Sequence, residues 1–207
     1  MEILYQDKDV VVCRKLPGVL STDEPGGMPQ LLRQHLHTDN VRSVHRLDRV
    51  VGGLMVYALR AKAASELSRQ IRDGEFTKEY LALVEGEPED QGTLRHFLLR
   101  NKAERKTYAV PEDTPFAQEA VLHYRVLKRR EGLALVRIRL ETGRTHQIRC
   151  QFAASGWPLA GDKKYGGREA ENIGLFSCHL GFYQPYSGEK LEFEGMPQGA
   201  PWDLLPL

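Results

Sequence analysis

One aspartate carries much of the chemical interest of this sequence. Asp48 stands between Arg46 and Arg49 in the segment HRLDRVVGGLMVYA, His45 to Ala58. A carboxylate flanked by guanidinium groups is held ionised, because a nearby positive charge lowers a carboxyl pKa. An ionised, positioned Asp serves as a nucleophile or as a base. Gly52 and Gly53 follow, and then an apolar run, Leu54 to Ala58, that reads as a buried strand. Taken alone, Arg-Leu-Asp-Arg reads most simply as a solvated loop with surface ion pairs, which contribute little. The longer context changes that reading.

The whole segment resembles the catalytic motif of the RluA-type RNA pseudouridine synthases, whose HRLD aspartate is catalytic; here that is Asp48. FTKEYLALVEG, Phe76 to Gly86, is similar to the family's K-x-Y strand, whose Tyr lines the pocket beside the flipped base; here that is Tyr80. ETGRTHQIRCQFAASGWPLAGDKKYG, Glu141 to Gly166, resembles the family's TGRTHQIR…G-x-P-(I/L)-x-G-D-x-x-Y-G segment over almost its full length. The basic partner of the catalytic Asp then falls at Arg149. Leu4 to Thr22 resembles the N-terminal strand and loop, usually N-K-P-x-G, which here runs Arg14, Lys15, Leu16, Pro17, Gly18. A second departure is Val50, Val51 and Gly52, where the family more often has a Thr-Ser-Gly-like turn. Leu175 to Gly195 follows the family's strand, turn at Ser187-Gly188, and strand, so the resemblance covers nearly the whole chain.

The resemblance implies an isomerase that converts a specific uridine of structured RNA, in an rRNA or tRNA stem-loop, to pseudouridine. The C1′–N1 bond breaks, the uracil turns in its pocket, and C5 bonds to C1′. No redox change or group transfer occurs, so neither cofactor nor metal is expected. Asp48 acts at C1′ as nucleophile or at the 2′ position as base, and the sequence leaves both routes open. Arg149 would keep it ionised in a dry site, where an unpaired carboxylate tends to protonate. Tyr80 offers uracil a ring face, and its phenol is suited to moving the C5 proton. Extruding the base costs a few kcal/mol. Arg46 is expected to fill the vacated stack, since a guanidinium plane stacks on bases.

The same resemblance groups His45, Arg49, Arg144, His146, Lys163 and Lys164 with the RNA-binding residues. His45 either contacts phosphate or shapes the loop. Arg144 and His146 lie before and at the start of a helix whose N-terminus suits an anion. Lys163 and Lys164 read as RNA backbone contacts. Asp162 reads as structural, because short Asp side chains beside Gly commonly bond their own turn backbone. Two other functions fit less well. An RNA-binding factor on an inactive synthase scaffold is disfavoured by the presence of Asp48, Tyr80 and Arg149. A retaining glycosidase needs paired carboxylates, and none accompanies Asp48 in its motif.

The elements that must hold these residues are mostly strands. Val10–Cys13, Leu54–Leu59, Glu79–Glu85, Val121–Arg129, Leu133–Leu140, Leu175–Cys178 and Leu191–Phe193 read as strands, with a turn near Glu131-Gly132. Pro29–His37, Lys62–Asp73 and a segment from Thr145 to before Gly156 read as helices. The second places Ala64, Leu67 and Ile71 on one face, with Gly74 as its cap. The class is α+β, a mixed, largely antiparallel sheet flanked by helices and loops.

With 207 residues, 41% hydrophobic and 28% charged, one catalytic domain over 1–207 is expected. The first motif begins at Leu4, which leaves no room for the small RNA-binding domain that the family often carries ahead of it. No apolar run approaches membrane-spanning length and the N-terminus is no signal peptide. The three cysteines lack any C-x-x-C pair. A cytoplasmic monomer without membrane contact is expected. The net charge of +1 hides a segregation of charge. Arg42, Arg46 and Arg49, then Arg95, Arg100, Lys102, Arg105 and Lys106, form basic clusters apart from the acidic stretches, as an RNA groove requires.

Overall fold

β-Branched and apolar runs form the strands of this chain, and glycines mark many of its turns. The computed structural model describes residues 1–205; the last two residues of the expected domain lie outside the described residues. In chain order the elements are β1 (Glu2–Gln6), β2 (Val10–Lys15), α1 (Met28–Leu36), β3 (Arg42–Ser43), β4 (Gly52–Ala58), α2 (Ala61–Arg72), β5 (Thr77–Glu85), β6 (Gln91–Asn101), β7 (Lys106–Val110), β8 (Gln118–Arg130), β9 (Leu133–Leu140), α3 (Gln147–Ala154), β10 (Leu175–Tyr183) and β11 (Lys190–Glu194). They fall into two compact units. One is Met1–Lys78 with Phe176–Pro197; the other is Glu79–Leu175 with the segment from Gln198 onward.

In the first unit, β4 is the central strand and every residue of it is buried, as a continuous apolar run predicts. β2 pairs antiparallel with one edge of β4, and β1 with β2. The other edge of β4 is shared: β3 pairs antiparallel with Tyr57 and Ala58, and β10 parallel with Gly52 and Gly53. β11 pairs antiparallel with β10. Val10, Val12, Leu54, Val56, Leu180 and Phe182 of the strands pack with Ala63 and Leu67 of α2 and with Phe76. The helix is rotated slightly from the expected face: Ala63, Leu67 and Gln70 are buried, while Ala64 and Ile71 pack at the margin. Buried Gln70 is satisfied by β10, donating to the Tyr183 carbonyl at 2.8 Å and accepting its N–H at 2.9 Å.

The second unit is an antiparallel sheet in the order β5-β9-β8-β6-β7. Glu131 and Gly132, both at positive φ, close the β8–β9 hairpin where the sequence placed its turn. Tyr80, Ile138 and Tyr124 share one register row across β5, β9 and β8 and are all buried. Phe152 of α3 packs edge-on against Tyr124 with ring centroids 5.5 Å apart. The α+β class and its mixed, largely antiparallel sheet are as expected. The edge strand β1, the two-residue strand β3 and the β6–β7 hairpin were not expected. No helix among the described residues is long and apolar enough to cross a membrane.

Candidate active site

Asp48 lies in the loop between β3 and β4 of the first unit and is half-buried. That loop is stitched to the loop after β2. Ser21 Oγ donates to the Leu47 carbonyl at 2.7 Å and accepts the Leu47 N–H at 3.1 Å. Gly18 N–H donates to the Arg49 carbonyl at 2.8 Å, and Arg49 Nε donates to the Gly18 carbonyl at 2.8 Å. Val51 N–H closes on the Asp48 carbonyl at 3.0 Å. The aspartate backbone is therefore pinned on both sides by groups distant in sequence.

The structure adds a cation that the sequence reading passed over. Lys15, fully buried at the end of β2, donates from Nζ to the carbonyls of Val19 at 2.8 Å, Leu16 at 3.0 Å and Arg49 at 3.1 Å. Burial pushes this ammonium down to about 8, and the Asp48 carboxylate offsets part of that push. The available signal was the Lys of the resembled N-K-P-x-G motif.

A consequence can be measured. The folded Lys15 releases its proton below the ordinary lysine value of 10.5 that the unfolded chain keeps. Between about pH 8 and 10.5 the unfolded state binds the extra proton, so stability rises with pH there and is lost as pH falls, by at most about 1.4 kcal/mol per pH unit; below about 8 the contribution goes flat. Urea unfolding at pH 7, 8, 9 and 10 should show this rise in the parent and not in Lys15→Met. Parallel profiles would exclude it.

Gly52 and Gly53 let β4 begin where it does. Gly53 has φ +128, and a Cβ on it would lie 2.4 Å from the Ser177 nitrogen on β10. No L side chain fits that approach. His45 supports the strand from below: its Nε2 accepts the Val56 N–H at 3.1 Å, and its ring lies 5.6 Å from that of Phe76. Burial, with Lys78 nearby, pushes its pKa down to about 3. A neutral imidazole is engaged with β4 and helps shape the exit of the loop into that strand. Arg46 is exposed, and Arg49 keeps an exposed head while its Nε holds Gly18.

In the second unit, Tyr80 is buried on β5 and Arg149 is buried on α3, each 6% exposed. Arg149 donates from Nε and one Nη to the two carboxylate oxygens of Asp162, at 2.7 and 2.8 Å. Asp162 is 1% exposed, so its side chain takes a guanidinium instead of the turn backbone expected of it; an unpaired charge so deep is costly. The Tyr165 ring lies 5.1 Å below the same guanidinium. The Tyr165 hydroxyl accepts the Thr107 N–H at 2.9 Å and bonds His146 Nδ1 at 2.9 Å, tying the D-x-x-Y turn to β7 and to the residue before α3.

α3 begins two residues later than expected, because His146 sits in the left-handed region at φ 54. Gln147 caps the entry by accepting the Arg144 N–H at 2.9 Å, while Arg144 Nε donates to the Glu119 carbonyl at 3.0 Å. Lys164 Nζ donates to the Arg105 carbonyl at 3.0 Å, at the β6–β7 turn that carries Lys102 and Arg105. Lys163 pairs with exposed Glu169. Among the described residues no group of three His, Cys, Asp or Glu could hold a metal ion.

The chain matches the family model for RNA pseudouridylate synthase over residues 9–154. It is 35% identical over 209 residues to Uncharacterized RNA pseudouridine synthase YlyB of Bacillus subtilis, covering 94% of this chain and 68% of that protein. It is 34% identical over 232 residues to Ribosomal large subunit pseudouridine synthase D of Escherichia coli K12, covering 100% of this chain and 69% of that one. The solved structure of Human RNA Pseudouridylate Synthase Domain Containing 1 aligns with a TM-score of 0.81 at 26% identity, covering 95% of this chain and 83% of that one. On this evidence the chain belongs to the RNA pseudouridine synthase family, as an isomerase of the RluA type.

Proposed function

We propose that this enzyme isomerises one uridine in a stem-loop of ribosomal RNA, with Asp48 as the catalytic carboxylate. The observation that carries the reading is the Asp48 loop, pinned by Ser21, Arg49 and Lys15 into one backbone course. A positioned carboxylate on a rigid loop suits attack at C1′ or proton removal at the 2′ position; both need it ionised. Arg149 is its proposed basic partner, with Asp162 fixing that guanidinium's orientation. Tyr80 is the proposed face for the free uracil. The proton lost from C5 balances the one gained at N1, so no cofactor enters. Relatives named for the large ribosomal subunit favour rRNA over tRNA. Three buried free cysteines support a reducing, cytoplasmic setting, and a monomer is the proposed form.

The test is incubation of the purified protein with transcripts of large-subunit rRNA, small-subunit rRNA and tRNA, followed by carbodiimide mapping of pseudouridine. Modification of the large-subunit transcript is expected; free uracil without pseudouridine would make it a glycosidase. Arg46 is proposed to flip the base rather than act on bonds. Arg46→Ala should lower turnover strongly on a stably paired target, by roughly the few kcal/mol of extrusion, and little on a mismatched uridine. Equal losses on both would make Arg46 a general phosphate contact.

A further inference from the structure

The sheet face opposite Tyr80 carries an arrangement that the proposed chemistry does not use. Glu79, His123, Arg125, Arg137 and Arg139 line an open cleft of about 360 Å³ in the second unit. The register explains the cluster. Arg139 faces Glu79 across one side of β9 and His123 across the other, and Arg137 faces Arg125. Side chains alternate along a strand, so Tyr80, Tyr124 and Ile138 fill the core while their neighbours form this face.

Charge on the face is only partly balanced. Arg137 Nε donates to Glu79 at 2.5 Å and Arg95 pairs with Glu119, while the His123–Glu141 contact matches charge only when the imidazole is protonated. The side chains of Arg125 and Arg139 make no hydrogen bond or ion pair among the described residues, and both residues are exposed. Arg125 stands directly opposite another arginine, a placement that destabilises a sheet. Fold stability alone gives no reason for it; a bound polyanion does. Arg125 and Arg139 are diagonal neighbours, roughly 7–8 Å apart at Cα, within reach of one stretch of phosphates.

We propose that this face is a second contact surface for the RNA substrate. Arg125 and Arg139 each neutralise a backbone phosphate there, away from the reacting sugar. The inference rests on the proposed RNA substrate. Its occupant is the phosphate backbone because the unmatched charge is positive, the cleft is open and polar, and guanidinium forks fit phosphate.

The test compares the parent, Arg125→Gln/Arg139→Gln and Arg125→Lys/Arg139→Lys for binding to transcribed large-subunit rRNA over a salt series. Two lost phosphate contacts should make the salt slope of the Gln pair shallower by about 1.4–1.8, while the Lys pair, keeping both charges, should parallel the parent. Turnover on a minimal stem-loop should be unchanged, and KM on the long transcript should rise. The Gln pair breaks no ion pair, so its melting temperature should match or exceed the parent's; a lower one would make the arginines structural and overturn the proposal. Parallel slopes for parent and Gln pair would also overturn it. So would a Gln pair that keeps RNA binding but loses competition by polyglutamate, which would assign the face to an acidic protein. The binding slopes need no catalysis, so a parent that forms no pseudouridine defeats the functional reading and leaves this one to be decided separately.

Discussion

Asp48→Asn is expected to abolish pseudouridine formation, with a loss on the order of 10⁴-fold or more, while leaving RNA affinity within a small factor of the parent. The amide keeps the shape of the side chain and removes its charge. Three supports of the loop act on its backbone and stay in place in the variant: Ser21 holds Leu47, Lys15 holds the Arg49 carbonyl, and Arg49 is tied to Gly18. The loop should therefore keep its course, and the loss should fall on turnover alone. There is a second readout. The Asp48 charge offsets part of the push that burial exerts on Lys15. Without it, the window in which stability rises with pH should open below pH 8. Mapping of modified transcripts, filter binding and urea unfolding together make the test. Substantial residual turnover would remove Asp48 from the chemistry.

What the sequence showed and what it hid divide by range. β9 reads clearly because Leu133 to Leu140 alternates and one side faces the core, and its observed bounds are the expected ones. β4 reads because its apolar run is unbroken. β6 does not: Leu94 and Leu98 are buried while Phe97 and Leu99 on the other parity are half-buried, so neither face gives a period of two. β1 is an edge strand with no fully buried residue. Site residues follow the same rule. Asp48, Tyr80 and Arg149 lie within long local motifs. Ser21 acts on Leu47 across 26 residues and Lys15 on Arg49 across 34, and only the folded chain shows them as supports of the Asp48 loop. Lys164, expected at RNA backbone, spends its ammonium on a carbonyl 59 residues away, so it holds a hairpin turn as well as presenting charge.

The largest effect on stability is expected at the Arg149–Asp162 pair. Both groups are almost wholly buried and joined by two hydrogen bonds. Removing either one deprives the other of this two-bond partner in the interior, and breaking such a buried pair typically costs about 3–5 kcal/mol. Arg149→Ala and Asp162→Ala should each lower the urea midpoint by that much and abolish turnover, Asp162→Ala acting only through the guanidinium it orients. Single substitutions cannot separate loss of fold from loss of chemistry. The double substitution Arg149→Met with Asp162→Leu can, because replacing a buried pair by apolar groups of similar size is often neutral or stabilising. It should recover most of the lost stability and none of the activity, since neither charge of the broken pair is left while the proposed partner of Asp48 is gone. A stable double variant that modifies RNA like the parent would reduce Arg149 to a packing role over Tyr165 and leave Asp48 in need of another cation, for which Lys15 is the group already coupled to it.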